Sequence, residues 1–282
     1  MQELLGYSFF TNALIGVLLI AVASAMIGTY VVTRRLVAIT GGVTHACFGG
    51  LGLGYYLGWN PLAMAAVVAV GSALGVEWMS ARRMVREDSA IAVVWSAGMA
   101  AGVLFVFLTP GYVPELNAFL FGNILNISTA DLWLFGAFTA LLAGIFTWKF
   151  KEIVTCAFDR DFAHVAGMPV ALVNTVMTVL TALCIVLTIR LVGIMLLMAM
   201  FTLPQMTAEL LWHRFRSIMA GSAAISAVGS TGGVLLSAYI DVPCSALIVI
   251  TLGAIYLIAR IALWAAERRR CGSDCAPEGR RL

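Results

Sequence analysis

Residues 41–54 read Gly-Gly-Val-Thr-His-Ala-Cys-Phe-Gly-Gly-Leu-Gly-Leu-Gly, with one ionisable side chain, His45, among six glycines. They lie in an apolar run long enough to cross a bilayer. An imidazole at bilayer depth is costly and marks a functional site by default. Imidazole nitrogen is also a natural ligand for zinc and iron. Gly41, Gly42, Gly49, Gly50 and Gly54 allow neighbouring helices to approach closely. Ala46, Gly50 and Gly54 recur at i, i+4 and i+8, one small-residue face of a helix. The segment therefore predicts close helix packing around a cation path, with His45 on that path. The competing reading is a packing histidine bonded to a backbone carbonyl.

Other polar residues offer less. Asp241 stands at the end of an apolar run, where its carboxylate either attracts cations or caps a helix beginning near Pro243. Glu77 and Glu209 lie near span ends and are expected to pair with Arg82 and Arg214. Met195, Met198, Met200 and Met206 carry thioethers, which suit soft ions such as Cu(I). They lack a Met-x3-Met spacing and read as fillers of irregular helix contacts. The six cysteines are scattered and read as small packing residues, although Cys271 and Cys275 form a weak C-x3-C metal pattern.

These residues sit in a chain that is 62% hydrophobic and 11% charged, with mean hydropathy +1.00. Soluble domains are about a quarter charged, so the fold class is all-α, a polytopic transmembrane helical bundle. One membrane domain over 1–265 and a disordered cytoplasmic tail over 266–282 account for the length. The first apolar run lacks the flanks of a cleaved signal peptide and reads as a retained helix. Apolar runs near 8–32, 36–58, 61–80, 90–108, 130–148, 171–189, 191–210, 217–239 and 244–264 predict eight or nine spans. A shorter run within 109–128 predicts a re-entrant or interfacial piece.

With nine spans, all of the 17 lysines and arginines except Arg190 share one side. That bias predicts a cytoplasmic C-terminus and an outside N-terminus. The net charge of +3 comes mostly from these loop arginines and gives no reason to expect a nucleic-acid partner. Membrane lipid is the expected surrounding.

The longest charged interior segment is 149–169. Within it Phe158, Phe162, Val165 and Ala166 recur on one helical face. Asp159 and Asp161 stand near the start of that helix, and Gly167 and Pro169 stop it. Such a helix docks its apolar face on a partner or lies on the membrane interface. His164 belongs to the same surface, and His213 to a charged loop.

Several stretches together resemble the membrane permeases of zinc/manganese/iron ABC importers. Arg34-Arg-Leu-Val-Ala-Ile-Thr-Gly-Gly-Val-Thr-His-Ala46 is similar to that family's Arg-Arg…Ser-His-Ala segment. Arg86-Glu-Asp-Ser-Ala-Ile91, Leu120-Phe-Gly-Asn-Ile-Leu125 and Phe158-Asp-Arg-Asp-Phe-Ala-His-Val-Ala-Gly167 match in order and spacing. Val192-Gly-Ile-Met-Leu-Leu…Leu203-Pro204 and Asp241-Val-Pro243 follow.

The resemblance implies a homodimeric permease in the plasma membrane of a prokaryote. It would contact an ATP-binding ABC subunit inside and receive a divalent metal from an extracytoplasmic metal-binding protein. It also implies that Phe158, Asp159, Asp161, Phe162, Val165, Ala166 and Gly167 form the coupling surface. No cofactor is expected on the chain beyond the transported ion. The chain carries no Gly-x4-Gly-Lys-Ser/Thr, so ATP would bind the partner.

One position departs from the pattern. Many family members carry an Asp four residues before the histidine, where this chain has Gly41. Losing that oxygen ligand tilts the site slightly away from manganese. A self-sufficient secondary transporter or channel is the alternative, but it calls for more buried carboxylates or an inverted repeat. An intramembrane enzyme calls for a paired set of ligands or a nucleophile with its base.

Overall fold

The computed structural model describes residues 8–82, 86–111, 122, 124 and 127–274. Ten helices occupy them: α1 Ser8–Thr33, α2 Val37–Leu57, α3 Pro61–Ala81, α4 Glu87–Leu108, α5 Thr129–Trp148, α6 Phe150–Phe158, α7 Arg160–Val165, α8 Val170–Leu211, α9 Phe215–Ile240 and α10 Cys244–Asp274. Eight of these are long and apolar enough to cross a membrane. The last helix runs on through Asp274, beyond the expected domain end at 265. The Leu120–Leu125 motif falls outside the described residues except for Gly122 and Ile124, as does Cys275.

Local sequence explains the boundaries. Asn60 caps α3, its Oδ1 accepting from the Leu62 and Ala63 amides at 3.0 and 3.3 Å, and Pro61 takes the first turn, where its missing N–H costs nothing. Ser128 caps α5 by accepting from the Asp131 amide at 3.2 Å, and its hydroxyl donates to Asp131 Oδ2 at 2.7 Å. Gly58 closes α2 with φ +68°, a left-handed cap.

The 42-residue α8 is not one rod. Asn174, near its start, meets the Tyr30 hydroxyl at 3.4 Å and the Arg34 guanidinium at 2.7 Å. Gln205, near its end, donates to the Ser24 carbonyl at 2.8 Å. In a straight helix Asn174 and Gln205 would stand about 46 Å apart, whereas Ser24 and Tyr30 are separated by about 9 Å. The chain therefore reverses between them, and it does so at Gly193, whose φ of 78° and ψ of 171° are non-helical. The arms 170–192 and 194–211 run antiparallel, as the two runs 171–189 and 191–210 predict. Eight helices thus make nine apolar arms.

Arms α1, α2 and α8 are largely buried, while α4 and α10 lie at the periphery. The second arm of α8 contains Pro204, which cannot donate to the carbonyl of Met200. Gln205 Nε2 supplies the missing hydrogen bond at 3.2 Å while also reaching Ser24. Gly28 leaves room for it: a Cβ there would stand 2.8 Å from Gln205 Cδ.

The closest pairing joins α2 to α4, which run parallel. A Cβ on Gly49 would stand 2.8 Å from the Gly98 carbonyl oxygen, and one on Gly52 would stand 2.6 Å from that of Gly102. The other face of α2 meets α3, where Gly50 opposes Ala65 and Gly54 opposes Pro61. The predicted single face of Ala46, Gly50 and Gly54 is therefore divided: Ala46 meets Gly98 of α4, and the two glycines meet α3. A helix is narrow enough for small residues spread around it to serve two neighbours.

This geometry separates two glycine substitutions. Gly52→Val should force α2 and α4 apart and cost about 1–3 kcal/mol of stability, as overpacking does. Gly71→Val, at a site with nothing within 4 Å, should leave stability within about 0.5 kcal/mol. Thermal unfolding of the detergent-solubilised proteins compares them.

Candidate functional site

His45 lies half-exposed on α2, on the side that faces α4. Its ring stacks on Trp95, with centroids 4.4 Å apart and planes 13° from parallel. Nδ1 stands 3.3 Å from Met99 Sδ. Trp95 and Met99 are one turn apart on α4, so a single helix face supplies both contacts. A thioether is a weak hydrogen-bond acceptor. Among the described residues the histidine thus makes no hydrogen bond to a backbone carbonyl of the kind the competing reading expects.

One turn below His45 stands Gly41, where the sequence resemblance leads one to expect a carboxylate. A Cβ there would lie 3.3 Å from Met198 Cε and 3.4 Å from Trp95 Cζ3. Met198 comes from the second arm of α8, and its Sδ is 4.0 Å from the Thr44 hydroxyl. Gly42 faces Ile91 of α4. Among the described residues no group of three or more His, Cys, Asp or Glu side chains is placed to hold a metal.

Asp241 is not brought to His45. It adopts φ 58° and ends α9 as a left-handed cap, so it closes the preceding helix and does not begin the next. Asp tolerates that backbone better than most residues. Its neighbours line an open cavity of about 520 Å³ that includes Phe9, Phe10, Gly122, Ser237 and Cys244. No residue of α2, α4 or α8 contributes to that cavity.

Neither expected carboxylate pair forms. Arg82 stacks on Trp78, with Cζ 4.9 Å from the ring centroid, and Glu77 Oε2 is buried without a hydrogen-bond partner. The ion pairs among the described residues are Lys149 with Glu152 and Arg190 with Asp131, at 2.7 and 2.8 Å. Arg190, the basic residue apart from the others, is thus tied to the start of α5. Cys47, Cys156 and Cys184 are buried free thiols, as packing residues should be.

The predicted helix over 158–167 is broken. Phe158 ends α6, and Asp159 interrupts the chain and caps α7 by accepting from the Phe162 amide at 2.9 Å. An unbonded Asp side chain beside a helix start competes for backbone amides, which breaks a continuous helix. Ala163 turns inward and is fully buried, whereas Phe158, Phe162 and Val165 are exposed. Val165 is 87% exposed. Ala166 follows as the C-cap, and Gly167 takes φ +73° to end the element. Asp161 is exposed beside them. The short helices lie against one another at the end of the bundle that also holds Arg216, whose Cζ stands 4.5 Å from the Phe150 ring.

Direct comparison decides the resemblance read from the sequence. The profile of the ABC 3 transport family matches residues 6–263. The chain belongs to the ABC 3 transport family. Among its relatives in that family, the "Manganese transport system membrane protein MntC" of Halalkalibacterium halodurans is 28% identical over 261 residues, covering 92% of this chain and 88% of that one. The "Probable iron transport system membrane protein" of Haemophilus influenzae is 30% identical over 258 residues, covering 91% and 94%. Among solved structures, "PsaBC from Streptococcus pneumoniae in complex with Fab" superposes with a TM-score of 0.82 at 25% identity, covering 92% of this chain and 93% of that one. The ABC 3 chain is accordingly a multi-pass permease of metal-transport type.

Sequence reasoning missed the contacts of Trp95 and Met99 with His45 and of Met198 with Gly41 and Thr44. The i, i+4 spacing of Trp95 and Met99 was visible, but nothing local tied that face to His45.

Proposed function

We propose that this chain is the membrane permease of an ATP-driven importer for a divalent transition metal. Two copies would work with two ATP-binding ABC subunits and an extracytoplasmic metal-binding protein. The observation that carries this reading is His45, half-exposed at bilayer depth with its imidazole bonded only to a thioether among the described residues. The metals named for the relatives support the cargo class. The exposed outer face of α4, beside His45, offers a surface for the second permease copy, so the path would run between protomers.

Transport follows by alternating access. The helices around His45 open outward to take the ion and inward to release it. Binding on the path must be weak enough for the ion to leave. The bias of positive charge supports a cytoplasmic position for the Arg34, Lys149 and Arg214 end of the bundle, and the end of α10, antiparallel to α9, would lie on that side. Phe158, Phe162 and Val165 then face the ATPase, with Asp159, Asp161, Ala166 and Gly167 shaping the docking element. A rigid short helix seated on the partner transmits ATP-driven motion to α8. Asp241 lines the cavity at the opposite end, where it would draw arriving cations. The glycines Gly41, Gly42, Gly49, Gly50 and Gly54 act through packing.

His45→Ala should leave co-purification with the ATPase subunit intact and lower ATP-dependent metal uptake into proteoliposomes by about tenfold or more, the scale expected when a group at a metal site is lost. Metal movement by the chain alone, without ATP or an ATPase, would sink the proposal. Val165→Asp should show the converse pattern. It places a charge on the docking surface, so ATPase co-purification should fall while the permease retains its thermal stability. A third measurement tests wetting: in membranes, His45→Cys should react with a water-soluble maleimide, whereas buried Cys47 should not.

A further inference from the structure

We infer that the exposed end of α10 binds an anionic phospholipid, its headgroup phosphate held between Arg260 and Arg268 beside Trp264. The inference is independent of the transported ion and of the residues around His45.

Three observations support it. The first is placement. Arg260, Trp264 and Arg268 recur at i, i+4 and i+8, one stripe along the helix, and all three are exposed. The helix lies at the periphery of the bundle, and its apolar stretch runs from Cys244 through Ala266. Arg260 therefore sits about 9 Å short of the end of that stretch. A guanidinium at such a level is costly unless an anion neutralises it.

The second observation is what the two arginines lack. Arg34 is hydrogen-bonded to Tyr30 and Asn174, and Arg190 is paired with Asp131. Among the described residues, Arg260 and Arg268 have neither a hydrogen bond nor an ion pair. Instead, Arg268 Cζ stands 3.9 Å from the centroid of the Trp264 ring. Stacking on an aromatic face positions a guanidinium without neutralising it. The planar fork keeps N–H donors for a phosphate, which it grips bidentately.

The third is the surroundings of the stripe. Leu257, Ile258 and Ile261 are exposed on its bilayer side. Beyond Ala266 the sequence holds Arg268, Arg269 and Arg270 against the single acid Glu267. Gly229 against Leu252 and Gly233 against Ile248 set α9 antiparallel to α10, which brings Arg214, at the start of α9, to the same level. An apolar face beneath a cationic end matches the polarity of a lipid in one leaflet. Acyl chains would lie along Leu257 and Ile261, and the phosphate would sit at Trp264, the depth at which membrane tryptophans gather. A free phosphate ion would gain nothing from that apolar face. Arg82 also stacks on Trp78, but position 74 is leucine, so that pair has no second arginine one turn inward.

Native mass spectrometry of the detergent-solubilised chain, titrated with phosphatidylglycerol or with phosphatidylcholine, tests the site. The natural protein should bind phosphatidylglycerol on the order of tenfold more tightly. Arg260→Gln and Arg268→Gln should each weaken that binding about fivefold, the scale of one arginine near an anionic bilayer surface. Phosphatidylcholine binding and thermal stability should not change. Trp264→Leu should weaken phosphatidylglycerol binding about two- to fivefold. Arg82→Gln removes the same charge elsewhere and should leave it as it was. Equal binding of the two lipids by the natural protein overturns the site. So does a loss in Arg82→Gln as large as that in Arg268→Gln, which would mark net charge alone as the cause. If the α10 variants keep the lipid preference but lose ATPase co-purification, the stripe is a protein contact and the lipid site falls.

Discussion

The architecture around His45 depends on backbone contact between α2 and α4. Within lipid, the hydrophobic effect does not drive one apolar helix onto another, so association rests on close packing and on weak polar contacts between backbones. Gly49 and Gly52 meet the carbonyls of Gly98 and Gly102 at distances that no side chain would permit. That contact fixes the register of the two helices. Register in turn decides which residues of α4 look at His45. A slide of one residue would rotate Trp95 and Met99 away from the imidazole, since neighbouring helical positions are separated by about 100°.

A second constraint is the reversal of α8 at Gly193. It lets one stretch of chain return into the bundle, so that its second arm delivers Met198 to Gly41 and Thr44 of α2 and Gln205 to the buried carbonyl left open by Pro204. Breaks of this kind are tolerated at membrane depth only where protein re-satisfies the backbone. Gln205 does so from the residue following the proline, and Gly28 on α1 leaves the space. The hinge, the proline and the glutamine belong to one structural solution.

Much of this protein was legible in its residues. Hydropathy alone determines that the chain is a helical membrane bundle, because every run of about twenty apolar residues must satisfy its backbone internally. The basic residues determine the grouping of its ends, and the ordered motifs determine the family. His45 stands out because charge-capable groups are rare at that depth. What only the tertiary structure decided is the company His45 keeps. It also decided that Asp159 divides the 158–167 segment, that Asp241 lies away from the histidine, and that Gly193 folds α8. The reason is physical: membrane helices are apolar all around, so periodicity does not say which face meets which neighbour. Contacts of residue 45 with 99 and of residues 41 and 44 with 198 are long-range, and they exist only once the glycines have set how closely and in what register the helices pack.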